Sequence, residues 1–148
     1  MDSSEQTTTL IRRLEDAMNS RRLDLLDDVV APDFVRHCEA TPDFEVRSLD
    51  DFKQFLRSNT ETFPDNTQTF LQIVADGDRA GIWATYEGTQ TGAFGPVPPT
   101  GKKATFDFGG VLHVREGKIA ELWVTWDNMT IMGQLGLLPA PDPAGAPG

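Results

Sequence analysis

Between Lys102 and Asp127 the chain reads KKATFDFGGVLHV, a turn at Arg115-Glu116-Gly117, then KIAELWVTWD. That stretch predicts a long β-hairpin, because apolar and aromatic residues are dense, no Pro interrupts it, and Gly sits at the tight connection. Side chains alternate across a strand, so Phe106, Phe108, Gly110 and Leu112 share one face of the first arm. Ala120, Leu122, Val124 and Trp126 share one face of the second. Trp123 and Trp126 are three apart and face opposite sides. His113 and Asp107 have the other parity from Phe108 and Leu112, and face away unless Gly109-Gly110 forms a bulge.

The rest of the chain supplies what such a wall packs against. Leu10, Ile11, Leu14, Ala17 and Met18 recur at helical spacing and predict an amphipathic helix over Thr9 to Ser20. A short second helix carries Leu23, Leu25, Leu26, Val29 and Val30 and ends before Pro32. DFVRHC is a short extended piece that holds His37. Ser48, with acids at positions 50 and 51, opens a helix that puts Leu49, Phe52, Phe55 and Leu56 on one face and ends before Pro64. From Asn66 the period becomes two: a strand over Thr67 to Ala75, a turn at Asp76-Gly77-Asp78, and a returning strand over Arg79 to Thr89. Trp83 and Tyr86 lie on that strand with opposite parity, so at most one lines any enclosed space. Thr91 to Gly101, rich in Gly and Pro, is an exposed loop. Asn128 to Leu135 is a short terminal helix closed by Gly136. Helices first and an antiparallel meander after make an α+β domain over 1–139, followed by a flexible Pro/Gly/Ala tail over 140–148.

A length of 148 residues suits one domain with a real core. The formal net charge of −10 argues against nucleic acid and against anionic membranes as partners. No apolar run reaches transmembrane length, and the N-terminus lacks a signal-peptide pattern. Cys38 is the only cysteine, so no internal disulfide forms, which fits a cytoplasmic protein; it reads as a small buried residue. Two histidines without HxH or HExxH spacing give no metal set, no GxSxG elbow is present, and the Gly-rich loop precedes a strand rather than a helix. A reaction without cofactor is the expectation.

Several motifs then fall in a familiar order. Gly95-Pro-Val-Pro-Pro-Thr-Gly-Lys102, Gly117-Lys-Ile-Ala-Glu-Leu-Trp123, Asp127 and Gln134-Leu-Gly-Leu-Leu-Pro139 are joined by His37 and by Phe63-Pro64-Asp65. Together they resemble the SnoaL-like polyketide cyclases of the NTF2-like superfamily, over roughly residues 8 to 139. The resemblance implies a cone, with N-terminal helices packed on a curved antiparallel or mixed sheet around an apolar pocket, and a homodimer formed through the outward face of the hairpin. Aldol cyclases of the family use a carboxylate, a His and a Gln. A gapless match of the flanking motifs puts these roles on Val124, Gly110 and Phe108, none of which can perform them. An Arg on the second strand and a His before the Gly/Pro loop, common in the wider family, correspond here to Trp83 and Gln90.

The resemblance and strand parity together predict a pocket lined by Trp83, Gln90, Phe106, Phe108, Leu112, Leu122, Val124 and Trp126, suited to a bulky apolar metabolite. The alternative is that these residues are simply core. Asp127, at a strand end beside Trp126, and His37 are the expected catalytic pair, since an acid facing an apolar cavity can work as general base or acid near neutral pH. Asp127 has an equal claim as N-cap of the last helix. His113 and Asp107 are the weaker candidates. The expected activity is a cyclase or isomerase working on a polyketide-like metabolite, either by acid-base catalysis or by folding the substrate into a reactive conformer. The rivals are a hydrolase or hydroxylase of epoxide-hydrolase type and a non-catalytic binding or dimerisation module.

Overall fold

Residues 2–138 are described by a computed structural model of the protein. The chain runs α1 (Ser3–Asn19), a 3₁₀ helix (Leu23–Asp28), β1 (Val30–His37), α2 (Leu49–Thr62), β2 (Thr67–Asp76), β3 (Arg79–Thr89), β4 (Lys103–Arg115), β5 (Lys118–Trp126) and α3 (Asn128–Gln134). The five strands form one open sheet in the order β1-β5-β4-β3-β2. All neighbours are antiparallel except β1, which runs parallel to β5, so the sheet is mixed. Helices packed on this sheet make the α+β architecture that the sequence predicts. The Pro/Gly/Ala tail expected over 140–148 lies outside the described residues.

The hairpin of β4 and β5 closes as its turn residues dictate. Glu116 and Gly117 both have positive φ, 52° and 77°, which a two-residue hairpin loop needs to match the strand twist. Pairing runs from Phe108↔Trp126 to Arg115↔Lys118, with a register shift between His113 and Val114. That shift lies beyond the Gly109-Gly110 pair, so Asp107 and His113 keep the outward parity.

Two elements differ from the sequence reading. α1 begins at Ser3 rather than near Thr9, because Asp2 caps it by accepting from the Glu5 amide at 2.8 Å. The early polar turn also has work to do: Thr7 Oγ1 donates to the Gly77 carbonyl at 2.6 Å and the Gly77 amide donates to Ser4 Oγ at 2.9 Å, tying α1 to the β2–β3 turn. The second difference lies at Val30, which begins β1 instead of ending a helix, so Pro32 sits inside a strand. It is tolerated because β1 is an edge strand paired only with β5, and the register shifts between Val30 and Val35.

The core fills the concave side of the sheet. Ile11, Leu14 and Ala17 of α1 pack there with Phe52 and Leu56 of α2, Phe34 of β1 and the inward residues of the meander, Ala80, Ile82, Ala84, Phe108, Leu112 and Val124. Ser48 caps α2 by accepting from the Asp51 amide at 3.0 Å. This fixes the helix phase that aims Phe52, Phe55, Leu56 and Asn59 at the sheet, one face by their spacing of three and four.

Candidate active site

Between α2 and the concave sheet face lies a cavity of about 570 Å³. Its wall includes the inward residues Ile82 and Tyr86 of β3, Phe106, Phe108 and Leu112 of β4, and Leu122, Val124 and Trp126 of β5. α2 contributes Phe52, Phe55, Leu56, Ser58, Asn59 and Thr62; Leu14 and Met18 come from α1, and Ile131 and Met132 from α3. Phe94 and Gly95 of the Gly/Pro loop and Ala40, Thr41 and Phe44 of the β1–α2 connection complete it. Aromatic rings stiffen this wall: Tyr86 stacks on Phe106 with centroids 4.9 Å apart, and Phe44 meets Phe55 edge-on at 5.1 Å.

Tyr86, Thr62 and Arg36 stand in the apolar wall with defined partners. Tyr86 donates its hydroxyl to Asn59 Oδ1 at 2.8 Å, and burial holds its phenol well above the usual tyrosine range. Thr62 Oγ1 donates to the Ala93 carbonyl at 3.0 Å and so ties α2 to the Gly/Pro loop. Arg36 is 7% exposed. Its guanidinium carbon lies 4.0 Å from the centroid of Phe55 and 5.6 Å from that of Trp126, and Nη1 donates to Thr41 Oγ1 at 3.0 Å. Burial pushes the Arg36 pKa down from its ordinary value, with Cys38 alongside opposing the shift. Arg36 is the only charged residue on the wall; no Asp, Glu, His or Lys among the described residues lines it.

The expected lining residues therefore divide. Phe106, Phe108, Leu112, Leu122, Val124 and Trp126 face the cavity. Trp83 does not: it is 47% exposed on the opposite face of β3, and Tyr86 takes the inward place that parity leaves to one of the two. Gln90 is fully buried but binds its own loop. Its Nε2 donates to the carbonyls of Gly92 and Pro98 at 3.1 and 3.2 Å, and its Oε1 accepts from the Thr100 amide and hydroxyl at 3.1 and 2.6 Å.

The candidate catalytic pair is not brought together. Asp127 is exposed and caps α3, accepting from the Met129 amide at 2.9 Å and from Thr130 Oγ1 at 3.2 Å. The alternation that turns Trp126 inward turns Asp127 out, and the orphan amides of α3 claim its carboxylate. His37 lies on the outer face, 2.6 Å from Glu121 through Nε2 and stacked on Trp123 with centroids 5.0 Å apart. Its neighbour Arg36, sharing parity with buried Phe34, is the residue that points inward. His113 packs on the other side of Trp123 at 4.7 Å, and Asp107 accepts from Thr85 Oγ1 at 2.7 Å, both outside the cavity. Of the positions that the aldol roles would occupy, Val124 and Phe108 are apolar wall. At Gly110 any Cβ would run into the Trp123 carbonyl oxygen.

Arg36 and Asn59 are cavity residues that sequence reasoning missed, and Tyr86 holds the place it had given to Trp83. A basic residue two after Phe34 in an apolar strand was the available signal for Arg36, and the spacing of Asn59 from Phe52, Phe55 and Leu56 was the signal for the amide. No group of His, Cys, Asp and Glu among the described residues is arranged to hold a metal ion, and no described helix is long and apolar enough to cross a membrane.

This architecture has close counterparts. IdmH from Streptomyces antibioticus, a candidate polyketide cyclase, superimposes with a TM-score of 0.79 at 32% identity, over 88% of this chain and 99% of that one. AclR from Streptomyces galilaeus, a candidate hydroxylase, gives a TM-score of 0.80 at 27% identity, over 96% of this chain and 92% of that one. A SnoaL-like protein from Jannaschia, at 20% identity and a TM-score of 0.82 over 94% and 97% of the two chains, shares the fold. No curated protein matches the chain in sequence. The family model for SnoaL-like polyketide cyclase matches residues 8–135, and the chain belongs to that family.

Proposed function

We propose that this protein is a cyclase or isomerase that accelerates ring closure of a bulky, largely apolar polyketide-like metabolite, without metal or organic cofactor, by folding it into a reactive conformer. One observation carries the reading: the cavity is walled mostly by aliphatic and aromatic side chains, with no carboxylate or imidazole among its described lining residues. A cyclisation that develops little charge needs no proton-transfer group, and confinement in a near-attack conformer can supply much of the rate. Acid-base catalysis by Asp127 and His37 loses its support, because neither side chain opens on the cavity. The 32% identity to IdmH supports a polyketide-like substrate.

The test is to incubate the protein with a panel of linear unsaturated polyketide mimics and to follow products by chromatography and mass spectrometry. Ring closure without change of mass is expected. Leu122→Trp, which fills the cavity, should abolish it, whereas Asp127→Asn and His37→Ala should not. Loss of turnover in a folded Asp127→Asn protein would overturn the templating reading.

A hydroxylase or hydrolase is the second reading, supported by the 27% identity to AclR. Its product would gain an oxygen atom or a water, which the same measurement separates. Epoxide-hydrolase chemistry wants two carboxylates and an Arg around one water, and here only the Arg lines the cavity. A binding module would retain the ligands unchanged. We further propose a homodimer through the outer sheet face, where Trp83, Val111 and Trp123 are 47%, 45% and 38% exposed. Sedimentation of the wild type and of Trp123→Glu tests it; a wild type that stays monomeric at all concentrations would overturn it.

A further inference from the structure

We propose that Arg36 is an oxyanion-anchoring site: it binds one carboxylate or enolate oxygen of a substrate that is otherwise apolar. The inference rests on reading the cavity as a substrate site and deepens it by naming the substrate's chemical class, an apolar acid.

A guanidinium carries five N–H donors; Arg36 donates one to Thr41 Oγ1 at 3.0 Å and meets the Cys38 thiol, and no carboxylate accepts from it among the described residues. A structural arginine this deep is normally paired with a carboxylate, since an unpaired buried charge is destabilising. Arg36 takes part in none of the ion pairs among the described residues, and no Asp or Glu lines its cavity. Cys38 is the one titratable side chain that interacts with it. The rings of Phe55 and Trp126 flank the guanidinium and hold it against the wall. No buried side-chain nitrogen or oxygen among the described residues lacks a partner. The guanidinium nitrogens beyond Nη1 are therefore either partnered, as by Cys38, or still accessible, and Arg36 is one of the residues that line the cavity.

A planar, permanently charged fork in an apolar chamber recognises a planar delocalised oxyanion and little else. The chain's net charge of −10 repels anions in general, so a preference for one would have to arise locally. Anchoring one end at Arg36 leaves the apolar body of the ligand to fill the space between α2 and the sheet. It would also fix which end of the molecule lies towards the β1–α2 connection.

The test is isothermal titration calorimetry with two matched probe pairs. The first pair is 1-naphthaleneacetate and its neutral amide. The second is the enolate of 2-phenyl-1,3-indandione and its O-methyl enol ether. The wild type should bind at least one anion tighter than its neutral partner, on the order of ten- to a hundredfold. The pair with the larger ratio assigns a carboxylate or an enolate. Arg36→Met and Arg36→Gln should bring that ratio close to one while neutral-probe affinity is kept, and Arg36→Lys should restore part of it. Equal binding of acid and neutral partner by the wild type overturns the anchor and leaves the cavity reading intact. No binding of any probe overturns both. The wild-type comparison stands even if a variant fails to fold.

Discussion

Asp127 Oδ1 accepts the amide proton of Met129 at 2.9 Å, which commits the carboxylate that closes β5 to the first turn of α3. Asn keeps an acceptor of the same shape at an N-cap, whereas Ala leaves the amide unsatisfied. Asp127→Asn is therefore expected to unfold within a few tenths of a kcal/mol of wild type, and Asp127→Ala about 1 kcal/mol earlier, by urea denaturation. A larger loss in the Asn variant than in the Ala variant would contradict the capping role.

Tyr86 is the only tyrosine in the chain, so phenolate absorbance reports on it alone. Its pKa is raised in the folded state, chiefly by burial. The folded protein therefore holds the phenol proton more tightly than the unfolded chain. The stability from this source is complete below the unfolded value of about 10 and declines as pH rises above it. Native protein should show no phenolate signal until it unfolds at high pH, and Tyr86→Phe should remove this alkaline contribution. Early, non-cooperative ionisation would show that the hydroxyl reaches solvent freely.

Gln90 satisfies both ends of its amide within the 91–101 loop, and that loop carries Phe94 and Gly95 to the cavity. Gln90→Glu retains the acceptor for Thr100 but cannot donate to the carbonyls of Gly92 and Pro98. Both Gln90→Glu and Gln90→Ala should lower stability by about 1–3 kcal/mol. Limited proteolysis should then cut first within 91–101. Unchanged cleavage kinetics would mean that the loop is held by its backbone contacts alone, such as the Gly92 amide on the Thr62 carbonyl at 3.1 Å.

Strand alternation made much of this cavity legible. Phe106, Phe108 and Leu112 could be assigned to one face because β4 is continuous and its register shift comes only after His113. The same rule set His113 and Asp107 outside. It failed where parity gives relative faces and no absolute direction. Nothing in the sequence of β3 says whether Trp83 or Tyr86 points at the helices; α2 and the sheet curvature decide it. In β1 the register is unbroken from Val35 to His37, so taking Phe34 as core sets Arg36 inward and His37 outward; the motif match favoured His37 over that local count. Asp127 was ambiguous for another reason: one carboxylate at a strand–helix junction satisfies both a cap and a catalytic reading until the geometry is known.

The anchoring role of Arg36 implies a particular stability effect. Its lowered pKa means that the charged form is less favourable in the folded protein than in the unfolded chain. At neutral pH the buried charge thus weakens the fold, with the Thr41 hydrogen bond and the Phe55 contact offsetting part of the loss. Replacing such a charge by an apolar chain of similar length is neutral or stabilising, by up to about 1–4 kcal/mol in other buried ion clusters. Arg36→Met should therefore unfold at the same or higher urea concentration than wild type, and a substrate-binding residue retained at the expense of stability would behave in this way. A drop of more than about 2 kcal/mol, the scale of a lost buried structural contact, would instead show that the guanidinium holds β1 and α2 together.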